Sequence, residues 1–211
     1  MLNRKDTDNT NNLLEEIHNY NICVPTREIF IHGHIQDAEE DPGVEYKMAM
    51  RVIKNIQFLT NISSDDITIH QYNIGGEWEA GMAIFDTIKL CKCHVTFICH
   101  GISASMGTVI MQAADKRLAM PNCMFLVHEG MTDMHPDLTI KQSKSLYEWE
   151  TLCGKLMMNI YAERAYVGEC FKGFAASKIK AYIQRKFDRQ EDWILTSQQA
   201  VDYGLIDEIV T

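Results

Sequence analysis

No run in this 211-residue chain reaches the roughly 18 consecutive apolar residues that a membrane-spanning helix needs, although 46% of its residues are hydrophobic. The apolar content is therefore free to build the core of one sizeable domain. Basic residues are also in short supply: 20 Lys and Arg stand against 29 Asp and Glu, a formal net charge of -9. With no basic stripe, binding to a nucleic-acid backbone is excluded, and the acidic balance favours solubility without naming a partner. A Gly-x-x-x-x-Gly-Lys phosphate loop is missing, so the chain carries no nucleotide-binding signature of that kind. The polar start, residues 1–12, has no apolar h-region and reads as a mobile start of a cytoplasmic protein, neither signal peptide nor anchor. Seven cysteines, odd in number and without regular spacing, read as reduced, buried thiols. There is no internal repeat and no low-complexity linker. The expected organisation is a polar segment over 1–24 and one domain over 25–211.

The rest of the chain alternates strand and helix, the pattern of an α/β domain with parallel strands. Glu28–Ile31 is a short strand closed by Gly33. Val44, Met48, Val52, Ile56 and Leu59 recur every three to four residues, which predicts an amphipathic helix within 42–60. Residues 67–72 alternate as a strand, Gly75-Gly76 breaks it, and 77–90 resume helical spacing. A strand over 93–100 leads into the small-residue run Gly101-Ile102-Ser103-Ala104-Ser105-Met106-Gly107, followed by a helix from Ser105 to about Ala114 and a strand over 124–127. Residues 137–166 contain no proline and one glycine, Gly154. A helix of that length, roughly 45 Å, projects beyond a compact domain and predicts a contact between subunits. Thr196 with Gln199 forms a capping box, Gly204 ends that short helix, and 206–210 is a last strand.

Candidate chemistry collects at the small-residue run. Nucleophilic serine catalysis needs an accessible hydroxyl, a base, a group that orients the base, and N–H donors for the oxyanion. Ser105 sits among small neighbours at a helix start, and His128 ends an apolar strand that can bring it close. Gly76, with no side chain to obstruct approach, and Met106 are the candidate oxyanion donors, each such donor being worth about 3 kcal/mol. The cluster Cys91, Cys93, His94, Cys99 and His100 invites a metal reading. On a strand, however, the cysteines share an apolar face with Val95 and Phe97 while the histidines point the other way, so no metal site is expected.

These residues resemble a known family, the proteolytic subunit of the ATP-dependent Clp protease (ClpP). The carrying segments are Gly75-Gly76 with residues 80–87, Ala104-Ser105-Met106-Gly107, residues 118–122 with Val127-His128, and residues 200–207 around Tyr203-Gly204-Leu205. They occur in the family's order across 28–210. The resemblance implies a ClpP/crotonase-like spiral of ββα units with a projecting handle helix at about 129–166. It implies a serine endopeptidase with Ser105 as nucleophile, His128 as base and Asp192 as the orienting carboxylate, ahead of its neighbours Glu191 and Asp188. It further implies a homo-oligomeric ring, heptameric or stacked, that takes unfolded polypeptides from a Clp ATPase unfoldase and uses no cofactor. The α/β-hydrolase elbow is disfavoured: the acids follow the histidine in the chain, and Ser103 stands where that elbow has glycine.

Departures from the family carry their own expectations. Ile74 replaces the usual proline before Gly-Gly and loosens that turn. Residues 129–137 lack most of the glycine-rich strand that holds substrate backbone and touches the facing ring. Glu191 replaces an arginine that pairs across rings, while His70 and the polar start differ from the apolar features to which the unfoldase docks. Two alternatives follow: a catalytically inactive ring subunit with a structural or regulatory role, and an acyl-CoA enzyme of the crotonase group. The joint presence of Ser105, His128 and Asp192 argues against the latter.

Overall fold

The computed structural model describes residues 4–33, 43–130 and 137–211. Eight strands form one sheet: β1 (Ile22–Cys23), β2 (Glu28–Gly33), β3 (Ile67–Asn73), β4 (Val95–Ala104), β5 (Lys116–Ala119), β6 (Met124–Val127), β7 (Trp193–Thr196) and β8 (Glu208–Ile209). The main path runs β1-β2-β3-β4-β5-β8, with β2, β3, β4, β5 and β8 mutually parallel and β1 antiparallel at the edge. Parallel neighbours require crossovers, supplied by α2 (Tyr46–Ile62) between β2 and β3 and α3 (Trp78–Lys89) between β3 and β4. The strand faces that meet these helices carry Ile29, Ile31, Ile67, Ile69, Val95 and Phe97, and the helices answer with Val52, Ile56, Leu59, Ile84 and Ile88, all buried. This is the mixed α/β architecture with parallel strands that the strand-helix alternation predicts, and it agrees with the fold the resemblance implies.

Two features of the sheet position the site. β4 is ten residues long and continues through Gly101–Ala104, where the sequence reading ends the strand at His100. Its first half pairs with β5 and its second half with β6, Ser103 opposite Phe125 and Ala104 opposite Leu126. β6 in turn pairs antiparallel with β7, Val127 opposite Trp193. One long strand thus leaves the main sheet to build a second, smaller layer at its carboxyl end.

The start of the chain differs from expectation: Arg4–Tyr20 is a helix, α1. Leu13, Glu16 and Ile17 are half-buried at a spacing of three and four, so a narrow apolar stripe suffices to seat it. It ends at Asn21, whose φ of 57° lies in the left-handed region that Asn tolerates. The expected long helix is α5 (Ile140–Ala165), 26 residues or about 39 Å. Its buried residues begin only at Cys153, while Ile140, Tyr147 and Leu152 are exposed, so its first half projects. The helix after Ser105 is shorter than expected: α4 spans Met106–Ile110 and tightens into a 3-10 turn over Met111–Ala113. α6 (Ala176–Arg189) and the short α7 (Ser197–Asp202), with its capping box at Thr196 and Gln199, complete the chain. Residues 131–136, where the altered glycine-rich strand is expected, lie outside the described residues, as does Pro42.

Among the described residues, one network holds the fully buried charge. Arg117, 1% exposed, donates to both carboxylate oxygens of Asp207, to Gln112 Oε1 (2.6 Å) and to the Gly204 carbonyl (2.9 Å), and ties β5 to the chain's last strand. Burial raises the Asp207 pKa, but the Arg117 hydrogen bonds and charge outweigh it and hold the carboxyl below its ordinary value.

Candidate active site

Ser105 occupies the hinge between β4 and α4 with φ 50° and ψ −126°, a conformation sparsely populated by residues other than glycine. Its surroundings hold it there. Its N–H donates to the Leu126 carbonyl of β6 (2.8 Å). Its carbonyl accepts from the Thr108 N–H (2.9 Å) and from Thr108 Oγ1 (2.7 Å). With the Thr108 hydroxyl proton so used, the Tyr161 hydroxyl of α5 donates to Thr108 Oγ1 at 2.6 Å. Burial keeps Tyr161 protonated by pushing its pKa well up. The turn therefore presents the Ser105 side chain away from the strand, toward β6.

His128 follows β6 directly and Asp192 precedes β7 directly, so the antiparallel pairing of Val127 with Trp193 sets the two side by side. His128 Nε2 lies 2.7 Å from Ser105 Oγ, and His128 Nδ1 lies 3.4 Å from Asp192 Oδ1. The histidine side chain is 15% exposed and the aspartate 52%. Trp193, 2% exposed, packs edge-on against Tyr203 at 4.8 Å and fixes the start of β7. Of the competing acids, Asp188 accepts a hydrogen bond from Gln184 at 3.2 Å and Glu191 is exposed. The three residues that the resemblance singles out thus stand in one line of contact, acid to imidazole to hydroxyl.

The Gly75-Gly76 turn lies against the serine. A Cβ built on Gly75 (φ +100°) would fall 2.6 Å from Ser105 Cβ, and one on Gly76 (φ +151°) would fall 2.2 Å from the Val44 carbonyl oxygen. Only glycine fits either place. Val44 donates to the Gly75 carbonyl (2.9 Å) and accepts from the Glu77 N–H (2.8 Å), a pairing in which the intervening Gly76 N–H takes no part. Met106, the first residue of α4, has an N–H with no partner inside its helix. A hydroxyl beside an imidazole, with two backbone donors near it, can attack a carbonyl carbon and hold the oxygen charge that results.

A cavity of about 730 Å³ lies between α5 and α6, bounded by Tyr147, Glu150 and Lys155 of α5, by Gln184 of α6, and by Glu129 and Gly130, the two residues that follow His128 in the chain. Gln184 donates to Glu129 Oε1 at 2.9 Å and steadies that wall.

Sequence reading overlooks Asn73, whose Oδ1 accepts the Gly75 N–H at 2.7 Å, and the Thr108–Tyr161 brace. The Asn73-Ile74-Gly75 triplet is a recognisable Asx-turn signal; the brace joins residues 53 apart and carries none. No group of three or more His, Cys, Asp or Glu able to hold a metal ion is found among the described residues. Cys93 and Cys99 are buried on the face shared with Val95 and Phe97. His70 stacks on Phe30 with ring centres 5.1 Å apart and meets His100 at 3.0 Å and Glu28 at 3.4 Å.

The family described as Clp protease matches residues 15–211. A protein of Dehalococcoides mccartyi named ATP-dependent Clp protease proteolytic subunit is 30% identical over 197 residues, 90% of this chain and 85% of its own length. One of the same name from Deinococcus radiodurans is 29% identical over 173 residues, 79% of this chain and 76% of its own. Among solved structures, a ClpP1 mutant from Listeria monocytogenes superposes with a TM-score of 0.69 at 26% identity, covering 89% of this chain and 92% of that one.

Proposed function

The chain belongs to the Clp protease family of peptidase subunits, and from that premise we propose that it is a serine endopeptidase acting through Ser105, His128 and Asp192. The 2.7 Å contact between His128 Nε2 and Ser105 Oγ carries the reading. Ser105 Oγ attacks the scissile carbonyl carbon while His128 Nε2 takes its proton. The Gly76 and Met106 N–H groups stabilise the oxyanion. Collapse of the tetrahedral adduct breaks the C–N bond, and His128 returns the proton to the leaving amine. Water then repeats the sequence on the acyl-enzyme, with His128 again accepting and donating the proton. Asp192 holds Nδ1 protonated and stabilises the imidazolium. No step calls for a metal or an organic cofactor.

The substrates we propose are unfolded polypeptides. The cavity of about 730 Å³ that reaches Glu129 and Gly130, directly after His128 in the chain, is large enough to take substrate side chains. A protease of this kind in the cytoplasm must confine its sites, which a homo-oligomeric ring does. Exposed apolar residues on the open sheet face and small layer (Tyr72, Met124, Ile194) and on the projecting half of α5 (Ile140, Tyr147, Leu152) offer the surface such a ring would cover. Seven-fold closure and feeding by a Clp ATPase are the assembly proposed. That ATPase would meet the polar group of Glu28, His70 and His100 on the sheet.

The test is labelling with a small fluorophosphonate together with turnover of a short peptide ester. The wild-type protein is expected to be labelled at Ser105, with Ser105→Ala and His128→Ala each losing several orders of magnitude in turnover while staying folded. Near-normal hydrolysis by Ser105→Ala overturns the assignment. A folded ring that neither labels nor turns over is instead the inactive ring subunit.

A further inference from the structure

β3 carries polar side chains where its alternation calls for apolar ones. Ile67, Ile69, Gln71 and Asn73 share its buried face, none more than 1% exposed. Buried carboxamides are costly unless hydrogen-bonded. Gln71 Nε2 donates to Ser103 Oγ at 2.7 Å and to the Gly107 carbonyl at 3.3 Å, which ties β3 beneath the serine hinge. Asn73 sits beside Ser103 across a register shift in the β3–β4 pairing. Its Oδ1 accepts the Gly75 N–H at 2.7 Å and closes an Asx-turn around Ile74. The same oxygen lies against the start of α4, 3.3 Å from where a Cβ on Gly107 would be. Among the described residues its Nδ2 meets the Met48 sulfur at 4.0 Å. One buried carboxamide therefore lies between the Gly75-Gly76 turn and the first turn of α4.

The turn needs such a tie. Two consecutive glycines at φ +100° and +151° are the least conformationally restricted backbone in the site, and Ile74 imposes no ring constraint before them. Val44 holds the far side of the turn, through the Gly75 carbonyl and Glu77 N–H. Asn73 is the tie on the near side.

We propose that Asn73 is a positioning residue: its carboxamide locks the Gly75-Gly76 turn so that the Gly76 N–H stays aimed at the oxyanion position beside Ser105. The consequence for catalysis rests on the serine-peptidase reading above; the consequence for turn order does not. Two measurements on the full chain separate them. The first is steady-state hydrolysis of a short peptide ester, and the second is amide hydrogen exchange by mass spectrometry across residues 74–77. Asn73→Ala is expected to lower kcat about 10- to 100-fold with KM within about twofold, part of what a lost oxyanion donor costs, and to speed exchange across 74–77. Asn73→Ser keeps an acceptor able to form the equivalent hydroxyl turn and is expected to recover most of both. A purely structural role would lower the melting temperature of both variants without splitting kcat from KM. Parental kcat and parental exchange in Asn73→Ala overturn the proposal, as does equal impairment of both variants with 74–77 unchanged. If the wild-type protein neither labels nor turns over, the peptidase reading falls, and the exchange comparison still decides whether Asn73 holds the turn.

Discussion

Asp192→Asn isolates the weakest contact in the proposed triad. The exchange keeps the side chain's shape and removes its charge, so its effect on rate measures how much the carboxylate stabilises the imidazolium formed in the transition state. In the ground state the imidazole is neutral, and the full charge pair exists only as the proton moves. At the observed 3.4 Å a unit charge pair is worth about 1.2 kcal/mol in bulk water and about 5 kcal/mol at an effective dielectric near 20. Those bounds correspond to losses of about 8-fold and about 4,000-fold in kcat. Asp192 is 52% exposed, which places this site between the limits, and a loss of about 200-fold is expected with KM little changed. Because the pair is half in water, salt should erode it: kcat of the wild-type protein falls as ionic strength rises, while that of Asp192→Asn does not. Steady-state hydrolysis of a short peptide ester reads both effects, with Glu191→Gln as control, expected within about twofold of the parent because an exposed neighbouring charge contributes little. A kcat for Asp192→Asn within threefold of the parent, or a larger loss for Glu191→Gln, would refute the reasoning.

The strained backbone at Ser105 should be measurable by itself: Ser105→Gly, inactive like Ser105→Ala, is expected to be the more stable of the two by about 1 kcal/mol, or about 2–4 °C in a thermal melt, and equal melting temperatures would deny the strain. Asp207→Asn leaves the Arg117 guanidinium, 1% exposed, without its counter-ion, so a loss of about 3–5 kcal/mol is expected in urea denaturation. Because the folded Asp207 pKa is depressed, its contribution is present above the unfolded pKa of about 4 and disappears as pH falls through the lower folded value, so the variant should lack that part of the parent's acid destabilisation. In the proposed ring, Glu191 beside the site would bring like charges together if two rings face each other, so stacking of two rings should strengthen between about 50 and about 500 mM salt; sedimentation showing a monomer at micromolar concentration would refute the ring, and salt-independent stacking would refute the electrostatic argument.

Local chemistry made much of the chain legible from its residues alone. Apolar spacing placed α2, α3 and β3 to within a few residues because each buries one face against the sheet, and spacing of that kind survives in sequence. The capping box at Thr196 and Gln199 and the stop at Gly204 appear where their side-chain hydrogen bonds require them. α6 follows the same rule, with Ile179, Ile183 and Phe187 at intervals of four on its buried face. The helical start of the chain was hidden by its polarity, since only Leu13 and Ile17 supply its apolar stripe. Ser105, Gly76 and His128 could be proposed from residue type and local setting, and Asp192 only by resemblance, because nothing near it in sequence says which of three acids faces the imidazole. Tertiary structure made that selection: β4 changes partner from β5 to β6, β6 takes β7 antiparallel, and the register of Val127 with Trp193 puts Asp192 and His128 together. Strand pairing between distant segments depends on which backbone edges are left free once the core has packed, and no local window of sequence encodes that outcome. The same holds for Gln71 against Ser103 and for Tyr161 behind Thr108, which meet only because the sheet and α5 bring distant polar groups into a buried space where each must find a partner.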